Sequence, residues 1–254
     1  MGQNLILNYH GIIDSRTQKG HSDAIYSIQS SVFEEHLKIL KELPVNIYTI
    51  NELKKAAKSE LNVFLTFDDG HESDYEIAKP LLDKYGFKAS FFISLINISE
   101  NDQRWQQYRE LAESGNTIGS HGVSHRFLSN LNREQQLEEL IISKKTIENK
   151  INREIDYFSL PGGMYNKMTI RLAKEIGYKG LLTTYFNYME SSSIPYLLGR
   201  WSIKSSDSLE TYKGVLQKNK YVISKIILRN RLNKSLSILL GHHNLDKLNY
   251  LFNS

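Results

Sequence analysis

Apolar and polar positions along this chain fall into two alternating patterns: short continuous apolar runs, and longer stretches with a helical repeat. Leu5–Tyr9 is a short apolar run closed by His10-Gly11, and Val63–Phe67 is a β-prone run closed by Asp68-Asp69-Gly70. Ala89–Ile93, Thr117–Ser120, Phe158–Leu160 and Gly180–Thr183 repeat the theme. Between these runs the spacing predicts helices. One starts at Ser31 as N-cap, with Val32, Phe33, Leu37 and Leu40 on its apolar face. A second covers Ser73–Tyr85 and stops at Gly86, with Pro80 as an internal kink or early break. A polar helix runs through Tyr108 and Leu111 to Ser114-Gly115. Asn132–Lys150, with Leu137, Leu140, Ile141 and Ile147 in helical register, and Met168–Ile176 complete the set. Strand–helix alternation of this kind predicts an α/β protein with parallel strands. No repeat, low-complexity tract or linker divides it, so residues 1–254 are expected to form one domain, with 207–254 as a basic helical extension packed on it.

Composition narrows the chemistry. The 254 residues are 40% hydrophobic and 24% charged, an ordinary globular balance that needs no disulfide or metal merely to fold. The absence of cysteine excludes a disulfide scaffold, thiolate zinc, iron–sulfur clusters and a thiol nucleophile, so any metal would be held by His, Asp or Glu. A net charge of +4 is no argument for nucleic acid, and no nucleic-acid motif is present. Neither a Gly-x-Gly-x-x-Gly after a strand nor a Gly-Lys-Ser/Thr pair occurs, which removes dinucleotide and P-loop readings. No stretch approaches the ~20 apolar residues of a membrane span. The N-terminus lacks the charged and apolar regions of a signal peptide. If it is the native start, the expected compartment is the cytoplasm.

Carboxylates and imidazoles stand at the ends of the apolar runs. Asp68 and Asp69 at a strand end repel one another unless a cation or donors compensate; the plain alternative is a solvated Asp-Gly turn. His121 and His125, four positions apart, could share one metal ion or be incidental. Gly122 stands where a zincin motif needs glutamate.

Together these pieces resemble the polysaccharide deacetylases with a NodB-homology domain. Leu65-Thr66-Phe67-Asp68-Asp69-Gly70 is similar to that family's first motif, and Ser120-His121-Gly122-Val123-Ser124-His125 to its second. Pro80–Phe92 resembles the segment joining them. Asn8-Tyr9-His10-Gly11-Ile12 resembles the first strand of the subgroup acting on exopolysaccharide and poly-N-acetylglucosamine. The resemblance covers roughly residues 3 to 205. It implies an irregular (β/α) barrel of about seven parallel strands and a metal-dependent hydrolase that removes N-acetyl groups from a carbohydrate. In that reading Asp69, His121 and His125 bind a divalent ion, Zn2+ in most of the family. Asp68 is the base that activates a metal-bound water.

Three departures from the family pattern set further expectations. Ser159-Leu160-Pro161-Gly162-Gly163 replaces the third motif, Arg-x-Pro-Tyr-Gly, so the base-orienting arginine is missing there. Arg200 is the candidate replacement, the alternative being a surface arginine at a strand end. A backbone N–H of the Pro161-Gly162-Gly163 loop is the expected oxyanion donor. Gly122 replaces a Ser or Thr that braces the second motif, so rigidity should suffer there. The last motif is matched only imperfectly by Ile238-Leu239-Leu240-Gly241-His242-His243, a segment that reads equally as an amphipathic helix with both histidines exposed, which leaves His242 and His10 as alternative general acids.

Tyr165, Tyr185, Phe186, Tyr188 and Trp201 could stack on sugar rings or pack in the core. Lys213, Lys218, Lys220, Lys225, Arg229, Arg231 and Lys234 lie in a stretch without Asp or Glu. That stretch is either a solvated basic face or a foothold on an anionic membrane. The expected substrate is an exopolysaccharide, a cell-wall glycan or a precursor. O-acetyl ester or formamido-sugar hydrolysis, and carbohydrate binding without turnover, are the alternatives.

Overall fold

The computed structural model describes residues 2–15, 24–58, 60–98 and 101–229, and its strands and helices follow in chain order. β1 (Gln3–Tyr9) is followed by a two-residue pair, β2 (Ile12–Ile13) and β3 (Ile28–Gln29). Next come β4 (Val45–Tyr48), β5 (Leu61–Phe67), β6 (Ser90–Ile93), β7 (Thr117–Ser120), β8 (Tyr157–Ser159) and β9 (Gly180–Leu182). β10 (Met189–Glu190), β11 (Leu197–Leu198) and β12 (Trp201–Ser202) close the series. The helices are α1 (Ser30–Glu42), α2 (Lys79–Tyr85), α3 (Leu95–Ile98), α4 (Asp102–Glu113), α5 (Arg133–Ile151), α6 (Lys167–Ile176) and α7 (Leu209–Leu216).

β1, β5, β6, β7, β8, β9 and β11 lie side by side, each parallel to the next, which gives the seven parallel strands expected. The segment 197–202 then bridges the two ends of this series. Leu197 and Leu198 pair with β9, while Trp201 and Ser202 pair with Leu7 and Asn8 of β1. The sheet is thereby drawn into a nearly closed barrel.

The two-residue period of the strands sorts side chains between two cores. Leu5, Leu7, Tyr9, Val63, Leu65 and Phe67 face the helix layer and pack with residues such as Phe33, Leu37, Leu140 and Leu172. Ile6, Phe64, Phe92, Leu182 and Leu198 form a smaller inner cluster, joined by Ile50 and Leu53 from a 3₁₀ turn (Ile50–Lys55). Polar residues share that inner face: Asn4, Asn8, Asn62 and Thr66 are fully buried. A barrel interior with this much hydrogen-bonding capacity can hold a charge.

Two element expectations need correction. α1 begins at Ser30, capped by extended Gln29, because pairing of β3 with β2 holds Gln29 in strand geometry up to the helix start. Ser31 therefore lies inside the first turn. The helix expected over Ser73–Tyr85 is two pieces, a π-helical turn (Asp74–Ala78) running into α2. Pro80 follows closely on the π-helical turn, so the irregularity of the helix lies where the proline lacks an N–H for the hydrogen-bond ladder.

After α7, residues 220–229 are helical. Ile226 is buried, and Arg229 Nη1 is 2.8 Å from Asp207 Oδ1, so this part of the basic stretch is tied to the body. Arg231, Lys234 and His242 lie outside the described residues. No helix among the described residues is long and apolar enough to cross a membrane.

Candidate active site

Inward and outward positions continue to alternate past the end of β5, so Asp68 follows Thr66 onto the inner face. Its backbone N–H donates to Tyr9 O (3.0 Å), fastening the ends of β5 and β1 together. The carboxylate is 2% exposed and meets a fully buried guanidinium, that of Arg200. Arg200 Nη1 donates to Asp68 Oδ1 (2.9 Å) and Nη2 to Oδ2 (2.7 Å), a bidentate fork. Asn8 Nδ2 (3.1 Å) and Ser159 Oγ (3.0 Å) also donate to Oδ2. Arg200 Nη1 further donates to Asn8 Oδ1 (2.8 Å), and its Nε to Thr183 O (3.1 Å). Burial alone would raise the Asp68 pKa, but the Arg200 charge and its hydrogen bonds outweigh it and hold the group well below the usual carboxylate range. Arg200 is therefore an interior residue at the barrel seam, not a surface arginine.

Asp69 turns the other way. Its φ of +76° is followed by +75° at Gly70, a left-handed pair that swings the carboxylate towards the end of β7. Asp69 Oδ1 lies 3.3 Å from His121 Nε2 and 3.2 Å from His125 Nε2. Ligands about 2.0–2.1 Å from a tetrahedral zinc stand about 3.3–3.4 Å apart, so these separations match a coordination edge. The proton inventory points the same way. His121 Nδ1 is 2.8 Å from Ser159 O, a bond only its N–H can make, which leaves the Nε2 lone pair facing a carboxylate. Asp69 Oδ1 is buried without a hydrogen-bond partner. Two acceptors turned on one another call for a cation, and Asp69, His121 and His125 are grouped closely enough to hold one.

The His121–His125 loop is braced from α5. Glu139, 2% exposed, accepts from Val123 N–H (2.7 Å), Ser124 N–H (3.1 Å) and the Ser124 hydroxyl. Gly122 has φ +86°, and a Cβ there would stand 2.8 Å from Glu139 Oε2. The rigidity expected to be lost at Gly122 is thus supplied by a carboxylate that needs the glycine to approach so closely.

His71, unnoticed in the sequence, is 9% exposed with Nε2 3.3 Å from Asp69 Oδ2. Burial pushes its pKa down, and the Asp69 and Asp74 carboxylates more than reverse this. Asp74, 1% exposed, accepts from the Tyr108 hydroxyl (2.8 Å), and burial raises it to about 7 against the pull of His71. Asn8, Ser159 and Glu139 were also missed. A polar residue in the apolar run Leu5–Tyr9 was the available signal for Asn8.

The remaining candidates divide. His10 follows β1 directly, half-buried against Tyr26 (ring centroids 4.7 Å), with Nδ1 buried and unpartnered. Burial lowers its pKa while Asp69 and Asp68 pull it back up, so it sits within their field. Pro161-Gly162-Gly163 forms a 3₁₀ turn after β8, with Gly162 exposed and the Gly163 N–H donated to Leu160 O (2.7 Å). Trp201 is 1% exposed, packed on Phe186 and Tyr212, and cannot reach a sugar. Phe186 is buried, and Tyr165 and Tyr188 are half-buried against the core. Tyr185, 56% exposed, is the one of these aromatics open to a ligand. His242 is outside the described residues.

A family model described as polysaccharide deacetylase matches residues 55–181, the stretch that holds Asp68, Asp69, His121 and His125 but neither His10 nor Arg200. The Bacillus subtilis (strain 168) protein YxkH is 32% identical over 185 residues, 70% of this chain; the chain spans only 63% of YxkH. The poly-beta-1,6-N-acetyl-D-glucosamine N-deacetylase of Staphylococcus aureus (strain MSSA476) is 26% identical over 213 residues, 80% of this chain and 68% of that one. Among solved structures, the Streptococcus pyogenes deacetylase PplD in complex with acetate shares the fold, with a TM-score of 0.72 at 23% identity over 85% of this chain and 97% of its own.

Proposed function

The chain belongs to the polysaccharide deacetylase family, and from that premise we propose that it hydrolyses the N-acetyl group of a glucosamine-containing glycan or glycan precursor. The observation that carries the reading is the pairing of an ionised, fully buried Asp68 with a neighbouring Asp69–His121–His125 cluster fit for a cation. The S. aureus relative, named for its action on poly-β-1,6-N-acetylglucosamine, supports the choice of substrate class.

Asp69 Oδ1, His121 Nε2 and His125 Nε2 would hold the ion, and this donor set suits zinc. Bound there, zinc would lower the pKa of a water and polarise the acetamide carbonyl. Asp68 is the base. Of its four hydrogen bonds three fall on Oδ2 and one on Oδ1, so Oδ1 keeps a lone pair for the proton of the attacking water. Arg200 keeps the carboxylate ionised and aligned, the task of the arginine whose place Ser159 takes. The Gly162 N–H is the candidate oxyanion donor, since that of Gly163 is committed to Leu160. His10, at the end of β1 and within the field of both carboxylates, is the proposed acid that protonates the leaving amine.

Zinc-loaded protein should release acetate from β-1,6- or β-1,4-linked N-acetylglucosamine oligomers. Asp68→Asn should lower turnover at least about 100-fold, in the range typical of losing a general base, while zinc stays bound. Wild-type protein that binds zinc yet frees no acid from these oligomers, or from O-acetylated or formylated sugars, would instead be a binding protein.

A further inference from the structure

Asp69 has two oxygens, and the cation cluster uses one. Oδ1 faces His121 and His125, whereas Oδ2 faces His71 Nε2 at 3.3 Å. His71 does not belong to the cluster of candidate ligands, and its Nε2 is buried with no completed hydrogen bond, Asp69 Oδ2 being the acceptor it faces. The backbone around it is held at three successive carbonyls. Asn97 Nδ2 donates to Asp69 O (3.0 Å), Arg104 Nη2 to Gly70 O (2.7 Å), and the Asp74 N–H to His71 O (3.1 Å). The imidazole is thus pinned against the far side of the carboxylate.

A carboxylate with both oxygens free can swing into bidentate coordination and use up a position on the ion that water or substrate needs. We propose that His71 is a positioning residue: its Nε2–H occupies Asp69 Oδ2, so that Asp69 engages the ion through Oδ1 alone. The inference rests on the reading of Asp69, His121 and His125 as the ligand set. It adds a second imidazole role that the spacing of the two motifs does not reveal.

Zinc affinity measured by chelator competition tests it without any glycan. His71→Leu should bind zinc 10- to 100-fold more weakly, the usual effect of losing such an outer partner. His71→Gln, which restores an N–H donor, should stay within about threefold of wild type. The Co2+-substituted His71→Leu protein should show the weaker visible absorption of a higher coordination number, and apoprotein melting should check that both variants fold. X-ray absorption of zinc-loaded wild type should count two imidazole ligands. Unchanged zinc affinity and Co2+ spectrum in His71→Leu, or three imidazoles in the absorption spectrum, overturn the inference and leave the amidase reading standing. A zinc-tight wild type with no hydrolytic activity overturns the amidase reading and leaves this one standing.

Discussion

Arg200 does for Asp68 what water does for an exposed carboxylate: it makes the charge tolerable. Without it, burial would lose its largest opponent and the Asp68 pKa would rise from its depressed value. Arg200→Met should therefore move the acid limb of the kcat/KM profile to higher pH, with zinc content unchanged. Stability follows the same sign. In the wild type the depressed Asp68 pKa contributes stability above the unfolded value of about 3.9, lost as pH falls towards the folded value. In the variant that contribution is diminished, so denaturant titrations should show a loss of about 3–5 kcal/mol at neutral pH that shrinks in acid. Arg200→Lys keeps the charge but not the fork and should fall between. A pH profile identical to wild type in Arg200→Met would detach Arg200 from the base.

Between residue and molecule, the π-helical turn Asp74–Ala78 is joined to α4 by the buried Tyr108 hydroxyl on Asp74 Oδ2 and by the Tyr75 hydroxyl on Glu110 Oε2. Asp74 Oδ1 is buried and unpartnered, and the group's pKa of about 7 means that its ionisation opposes folding. Asp74→Asn keeps an acceptor for Tyr108 and removes that cost. The variant should match wild type near pH 4 and become the more stable as pH rises to 8, by up to about 4 kcal/mol for a three-unit shift. Parallel melting curves at both pH values would refute this. Elements of this kind mark where sequence reading ran out. Apolar runs and helical spacing located the main strands and helices, and strand-end carboxylates and imidazoles were legible because neighbours in the chain remain neighbours in the site. Asn8 and Ser159 act through partners brought in by barrel curvature, with sequence separations of 60 for Asn8–Asp68 and 91 for Ser159–Asp68. No local pattern encodes such pairings. The two-residue strands β10, β11 and β12 leave no sequence signal, because so short a run has no period.

For the whole molecule, the seam at segment 197–202 decides whether the barrel closes. A Cβ at Gly199 would lie 1.8 Å from Asn187 Oδ1 and 2.3 Å from Tyr185 O, and the second is backbone that cannot simply rotate away. Gly199→Ala should cost about 1–3 kcal/mol through overpacking, lowering Tm by roughly 2–12 °C. Acetate release should fall further than zinc affinity, because Arg200 is next in the chain and its hydrogen bonds reach Asp68 but none of the proposed zinc ligands. An unchanged melting temperature would show that the seam yields freely. The same seam has a consequence for synthesis. Arg200 follows Asp68 by 132 residues, so a growing polypeptide carries the acid long before its counter-ion exists. Until the last strands emerge from the ribosome, Asp68 must remain hydrated or protonated, and the first half of the barrel cannot seal around it. Prematurely terminated chains would possess the proposed metal ligands and still lack the arginine that keeps the proposed base ionised.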